Sequence, residues 1–120
     1  MQILIIDDEP VILQIIRRFA EPIGHATSFL TPEDALEDFQ PGKYDIAIID
    51  IGLPDIPGNV LAERLKQADP DLPCICITGY PLSASDPEVA IFEEVVQKPF
   101  GLGLVDVIKR FARNREDAVD

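Results

Sequence analysis

Ile3-Leu4-Ile5-Ile6-Asp7-Asp8-Glu9 opens the chain as an apolar run that stops abruptly on three acids. Three further runs end in the same way: Ile46-Ala47-Ile48-Ile49 on Asp50, Ile75-Cys76-Ile77 on Thr78, and Val95-Val96-Gln97 on Lys98. Short β-branched runs without polar alternation read as strands buried on both faces of a parallel sheet. Parallel strands point one way, so the residues at their C-terminal ends meet at one edge. Open α/β sheets place their ligand sites at that edge. Three carboxylates, one hydroxyl and one ammonium should therefore gather in one pocket.

Working outward from these runs, the rest of the chain alternates regularly. Strand one covers about Gln2 to Ile6, and a helix follows from Pro10 to about Pro22 with Ile12, Leu13, Ile15, Ile16 and Phe19 on its apolar side. The stretch Gly24 to Leu30 is a less apolar strand and belongs nearer an edge. Thr31 is placed to cap a short helix with Pro32, Glu33 and Asp34 in its first turn, and Pro41-Gly42 closes it. Strand three runs from about Tyr44 to Ile49, the third helix from about Asn59 to Ala68, and strand four from Pro73 to Ile77. The segment Pro81-Leu82-Ser83-Ala84-Ser85-Asp86-Pro87 delays the next helix and leaves room for a brief one near Glu88 to Phe92. Strand five is about Glu94 to Gln97. The last helix spans about Gly103 to Arg113, where Lys109, Arg110, Arg113 and Arg115 suit the dipole at its C-terminal end.

Five strands alternating with five helices point to a doubly wound parallel sheet with right-handed crossovers. The 120 residues make one domain, residues 1–113, with a polar tail over 114–120. A net charge of −12 argues against direct contact with nucleic acid or anionic lipid, because such contact rests on phosphate neutralisation. Cys74 and Cys76, two apart on one strand, read as core thiols rather than a disulfide or a zinc site. No signal peptide or apolar span is visible, so the expected location is the cytoplasm.

Asp7, Asp8 and Asp50 brought together repel one another unless a cation or proton intervenes. Hard oxygen donors of this kind suit Mg²⁺, which binds through one or two carboxylates together with phosphate oxygens. Asp50 could then attack phosphorus and become an aspartyl phosphate, with Lys98 and the Thr78 hydroxyl on the phosphoryl group. Each residue taken singly has a plainer reading: the acid pair as a helix cap, Asp50 as a turn residue, Thr78-Gly79 as a strand end, Lys98 as a surface lysine. The argument rests on the whole set falling at strand ends in the order acid pair, acid, hydroxyl, lysine.

These residues give the chain a clear resemblance to the response-regulator receiver domain, the phosphoacceptor module of bacterial two-component signalling. The resemblance runs from Ile3 to about Phe111. It is carried by Asp7-Asp8-Glu9, by Asp50 with Leu53-Pro54 and Gly58, by Thr78-Gly79, and by Lys98-Pro99-Phe100. It implies a flavodoxin-like sheet in the order 2-1-3-4-5 with helices on both faces. It also implies Asp50 as phosphoacceptor, and Mg²⁺ held by Asp7, Asp8, Asp50 and the Gly52 backbone carbonyl. Thr78 and Lys98 become the phosphoryl-binding switch pair, Pro99 a cis-proline that sets Lys98, and Gly52 and Tyr80 the residues that govern water access.

The resemblance implies a histidine kinase or histidine phosphotransfer protein as partner; His25, the chain's one histidine, lies on the second strand far from the pocket, so the donor is another chain or a small phosphorylated metabolite. The implied action is a phosphorelay switch rather than an enzyme on external substrates, working as a monomer or a phosphorylation-dependent homodimer. Three features depart from the usual pattern, one being the pair at the acyl phosphate, where Gly52 leaves space and Tyr80 shields, with opposing effects on water access. Val95 stands where an aromatic ring commonly follows the threonine inward. The segment between Thr78 and Lys98 is short and proline-rich where a full fourth helix normally stands. A phosphorylation-independent binding module, a metal-dependent phosphatase and a flavin or nucleotide binder are the competing functions. The complete acid–threonine–lysine set, Gly52 two residues after Asp50, and the lack of a glycine-rich phosphate loop count against them in turn.

Overall fold

The computed structural model describes residues 1–82, 85–98 and 100–113. The elements run β1 (Gln2–Ile6), α1 (Pro10–Ala20), β2 (His25–Phe29), α2 (Pro32–Asp38), β3 (Ile46–Asp50), α3 (Gly58–Ala68), β4 (Cys74–Thr78), β5 (Glu94–Gln97) and α4 (Leu102–Phe111). All five strands are parallel, in the order β2-β1-β3-β4-β5. The less apolar β2 takes an edge, as its composition required.

Both sheet faces are covered, which is why β1, β3 and β4 read as unbroken apolar runs. Leu4, Ile6, Ala47, Ile49, Cys74 and Cys76 face α2 and α3, packing on Ala35, Leu61, Ala62 and Leu65. The alternate residues Ile3, Ile5, Ile46, Ile48, Ile75 and Ile77 face α1 and α4, on Leu13, Ile16, Leu104 and Ile108. Each such side chain contributes about 1.5–3 kcal/mol on leaving water, most of it offset by lost chain entropy. The two thiols are buried on one face, and burial pushes both up to about 12. They are packing groups.

Local chemistry sets the helix starts. Pro10 and Pro32 open α1 and α2, and the Asp34 amide donates to Thr31 Oγ1 at 3.1 Å. Four α-helices stand among the described residues, where five had been expected. The helix placed near Glu88 to Phe92 is a single 3₁₀ turn, Pro87–Val89. Proline at its first position and a sharp return to β4 through Glu93 N donating to Cys74 O leave no length for α-helical turns. Glu93 also accepts from Cys74 N and pairs with Lys66 at 2.8 Å, fixing the start of β5. Val95 packs, half-buried, against the same apolar cluster that holds Phe92.

The last helix also stops earlier than expected. Ala112 turns extended, with φ −57° and ψ 133°, so Arg113 lies outside the helix. Instead of serving a helix dipole, its guanidinium reaches beneath the sheet to Asp69 and the Tyr44 carbonyl. Residues 114–120, and with them Arg115 and the polar tail, lie outside the described residues. Among those described, no helix is long and apolar enough to cross a membrane.

Candidate functional site

The sheet's hydrogen-bond ladder extends one step past the strands and carries the polar residues with it. Asp7 N donates to Phe29 O at 3.2 Å, Ile51 N to Ile77 O at 3.1 Å, and Lys98 N to Thr78 O at 2.7 Å. Asp7, Asp50, Thr78 and Lys98 are thereby fixed to the same C-terminal edge. Behind Asp50 the chain doubles back tightly: Gly58 N donates to Ile51 O, and a Cβ at Gly58 would sit 2.3 Å from Asp50 O. Because the obstructing atoms are backbone, only glycine fits there. In the same loop Asp55 holds φ +68°, a left-handed conformation that aspartate tolerates.

Asp8, Glu9, Asp50, Gly52, Gly79, Tyr80 and Lys98 line a cleft at this edge, with Asp7 buried beneath. One carboxylate oxygen from each of Asp7, Asp8, Glu9 and Asp50 lies within 4.8 Å of the others. Lys98 reaches into this group. Its Nζ is 3.1 Å from Asp7 Oδ2, 3.4 Å from Glu9 Oε1 and 3.6 Å from Asp50 Oδ2. The contact with Asp7 is an ion pair poorly aligned for a hydrogen bond, so the buried Oδ2 keeps coordinating capacity. Asp7 Oδ1 accepts from Glu9 N at 2.9 Å, and Asp50 Oδ1 accepts from Gly52 N at 3.1 Å.

The electrostatics follow from this crowding. Burial pushes the Asp7 and Asp50 carboxyls above the usual carboxylate range, and like charge adds to it: Asp50 acts on Asp7, and Asp8 on Asp50. Burial works against the Lys98 charge too, but Asp7, with Asp50 and Glu9, more than offsets it and holds the ammonium above its ordinary value. Four hard oxygen donors around one monovalent cation are a fit for a small divalent ion such as Mg²⁺.

The sign of the acid repulsion gives a prediction. A carboxyl raised in the folded state lends stability below its unfolded value of 3.8 and loses it as pH rises through the folded value. Asp50→Asn removes that loss. Without divalent metal at pH 7, the variant is expected to exceed wild type by on the order of 1 kcal/mol in urea unfolding. The gap should close toward pH 4, and a variant less stable than wild type at pH 7 would contradict the repulsion.

Most sequence-derived site residues converge. Asp7, Asp8, Asp50 and Lys98 meet directly, with Gly52 and Tyr80 on the cleft wall. A Cβ at Gly52 would lie 3.7 Å from Asp50 Oδ1 and 3.8 Å from Tyr80 Cε2, so residue 52 borders both the acid and the ring. Tyr80 is 66% exposed. Thr78 sits at the edge, buried, where its Oγ1 accepts from Tyr80 N at 2.9 Å and donates to Tyr80 O at 3.4 Å. Pro99 lies outside the described residues. His25 pairs with Gln2 at the opposite, N-terminal edge, as its position on the second strand required. In the sequence Glu9 stands only as the third acid of an acidic run. Its reach to Lys98 depends on how α1 begins, which spacing alone does not give.

An open parallel α/β domain takes its ligands at the switch-point edge, and the acid–lysine cluster stands there. The chain belongs to the response regulator receiver domain family, matching it over residues 3–109. It is 31% identical over 113 residues to the response regulator receiver protein CpdR of Brucella abortus, covering 91% of this chain and 94% of that one. It is 29% identical over 123 residues to the aerobic respiration control sensor protein ArcB of Escherichia coli, covering 98% of this chain but only 16% of ArcB. Among solved structures, the BeF3-activated DrrB receiver domain superposes with a TM-score of 0.83 at 28% identity, covering 92% and 95% of the two chains. TrrA of Thermotoga maritima with Mg²⁺-BeF gives 0.83 at 30% identity, covering 92% and 97%. TrrA has also been solved in complex with the histidine kinase ThkA.

Proposed function

We propose that Asp50 is the phosphoacceptor of this receiver, within a domain formed by residues 1–113. The observation that carries the reading is the convergence of Lys98 Nζ on Asp7 Oδ2 and Asp50 Oδ2, at 3.1 and 3.6 Å, in a cleft open to solvent. A fixed cation beside a carboxylate nucleophile stabilises charge on a transferring phosphoryl group. Asp7, Asp8, Asp50 and the Gly52 carbonyl would hold Mg²⁺, which would supply charge neutralisation at the phosphate.

In the transfer, an Asp50 oxygen attacks phosphorus as the bond from phosphorus to the donor's imidazole nitrogen breaks. The electron pair stays on that nitrogen. The donor is a phosphohistidine of a histidine kinase or phosphotransfer protein, a reading supported by the kinase complex of TrrA. The chain's own groups do the work of transfer and hydrolysis, while the product is a signalling state rather than a released chemical. Thr78, whose hydroxyl here donates to Tyr80 O at 3.4 Å, redirects that donation to the phosphoryl oxygens. Gly52 leaves room for hydrolytic water, and the Tyr80 ring, which borders that space, screens the phosphoryl group. The setting is the cytoplasm, and phosphorylation switches binding to a target protein or a second copy.

The test is intact mass after incubation with Mg²⁺ and acetyl phosphate. Wild type should gain one phosphoryl group, Asp50→Asn none, and Lys98→Ala much less than wild type. Undiminished phosphorylation of Asp50→Asn would remove the assignment.

A further inference from the structure

Glu9 is the residue before α1, and its position is unusually constrained for so exposed a side chain. Its amide is bound by Asp7 Oδ1 at 2.9 Å, and Pro10 follows immediately as the first helical residue. Ser, Thr, Asp or Asn at this position turns its side chain onto the free amides of the helix start. Glu9 does not, and no side-chain cap bond forms. Its carboxylate is turned the other way, to the pocket rim, where Oε1 lies 3.4 Å from Lys98 Nζ. The side chain is 61% exposed there, against 14% for Lys98 and none for Asp7.

Lys98 and a divalent ion compete for the same oxygens. The ammonium stands 3.1 Å from Asp7 Oδ2 and 3.6 Å from Asp50 Oδ2, the carboxylates read above as metal ligands. Two cations of total charge three cannot share one carboxylate oxygen without strong repulsion. Metal entry therefore drives the ammonium off Asp7. The carboxylate that can receive it is Glu9, whose backbone is tethered to Asp7 and whose oxygen is already in ion-pair range.

We infer that Glu9 is a positioning residue for Lys98, holding its ammonium at the pocket rim when metal takes the Asp7 and Asp50 carboxylates. It thereby eases metal entry and keeps the cation beside Asp50, where an incoming phosphoryl group meets it. The inference rests on the metal and phosphoryl roles proposed above and deepens them. Its rival is direct attraction: Glu9 lies close enough to the other acids to draw a divalent ion by its own charge, with no help from Lys98.

Calorimetric titration with Mg²⁺ separates the two, using wild type, Glu9→Gln, Lys98→Met and the double variant. Glu9→Gln is expected to weaken Mg²⁺ binding about threefold, the scale of an exposed ion pair. In the Lys98→Met background the same substitution should change the affinity little, because the group it serves is gone. Glu9→Asp keeps the charge but is one methylene too short to reach Lys98, and it should behave like Glu9→Gln. Equal weakening by Glu9→Gln with and without Lys98, or wild-type affinity in Glu9→Asp, would overturn the inference and leave the metal site standing. Absence of Mg²⁺ binding by wild type itself is a distinguishable result, and it would remove the metal site and this inference together.

Discussion

Arg113→Ala should lower the unfolding free energy by about 3 kcal/mol, the scale for removing one partner of a largely buried ion pair. Arg113 donates through Nη1 to Asp69 Oδ1 at 3.0 Å and through Nη2 to Asp69 Oδ2, making a bidentate pair. It also donates through Nε to Tyr44 O at 3.1 Å and through its backbone amide to Asp45 O at 3.0 Å. Asp69 is the buried C-cap of α3 and accepts from Gly42 N as well. The hydrogen bond it donates to Asp69 is the main reason the guanidinium is held above its ordinary value, with burial opposing. One side chain thus ties the end of α4 to the starts of β3 and the end of α3. Arg113→Lys keeps the charge but not the fork, so its loss should be intermediate. Urea unfolding followed by circular dichroism measures all three. A loss under about 0.5 kcal/mol for Arg113→Ala, as for an ordinary surface change, would show that solvent replaces the clasp.

Mg²⁺ should raise the melting temperature of wild type markedly. A ligand that binds only the folded state adds roughly 2.7 kcal/mol at a hundredfold over its dissociation constant. The gain is set here by relief of the crowding among Asp7, Asp8 and Asp50, in which burial and the Asp50 charge raise Asp7, and burial and the Asp8 charge raise Asp50. Asp8 is the exposed member that completes the donor set. In Asp8→Asn a donor charge is lost, so the same titration should give a much smaller rise. Equal shifts in the two proteins would remove the metal site.

Much of this was legible in the sequence because burial on both faces leaves a plain signature. Ile3 to Ile6, Ile46 to Ile49 and Cys74 to Ile77 carry no polar residue, so a parallel sheet was the natural reading, and the first polar residue after each run marked the site edge. What stayed hidden depended on geometry that spacing does not encode. The cations after the last helix read equally well as dipole partners, and only the extended turn at Ala112 sends Arg113 under the sheet. The stretch from Pro81 to Pro87 showed that a helix was delayed. It did not show that the return through Glu93 would leave just one 3₁₀ turn. Thr78 was correctly placed at a strand end, yet its hydroxyl is engaged by the Tyr80 amide, a local bond that hydroxyl residues form readily.

The most direct test of the central claim is the chemical location of the phosphoryl group. After phosphorylation with Mg²⁺ and acetyl phosphate, borohydride reduces an acyl phosphate to the alcohol and marks the carboxyl that carried it. Peptide mapping by mass spectrometry should then find homoserine at position 50, with Asp7 and Asp8 unchanged. Reduction at Asp7 or Asp8, or a borohydride-resistant phosphate on a serine or threonine, would contradict the account.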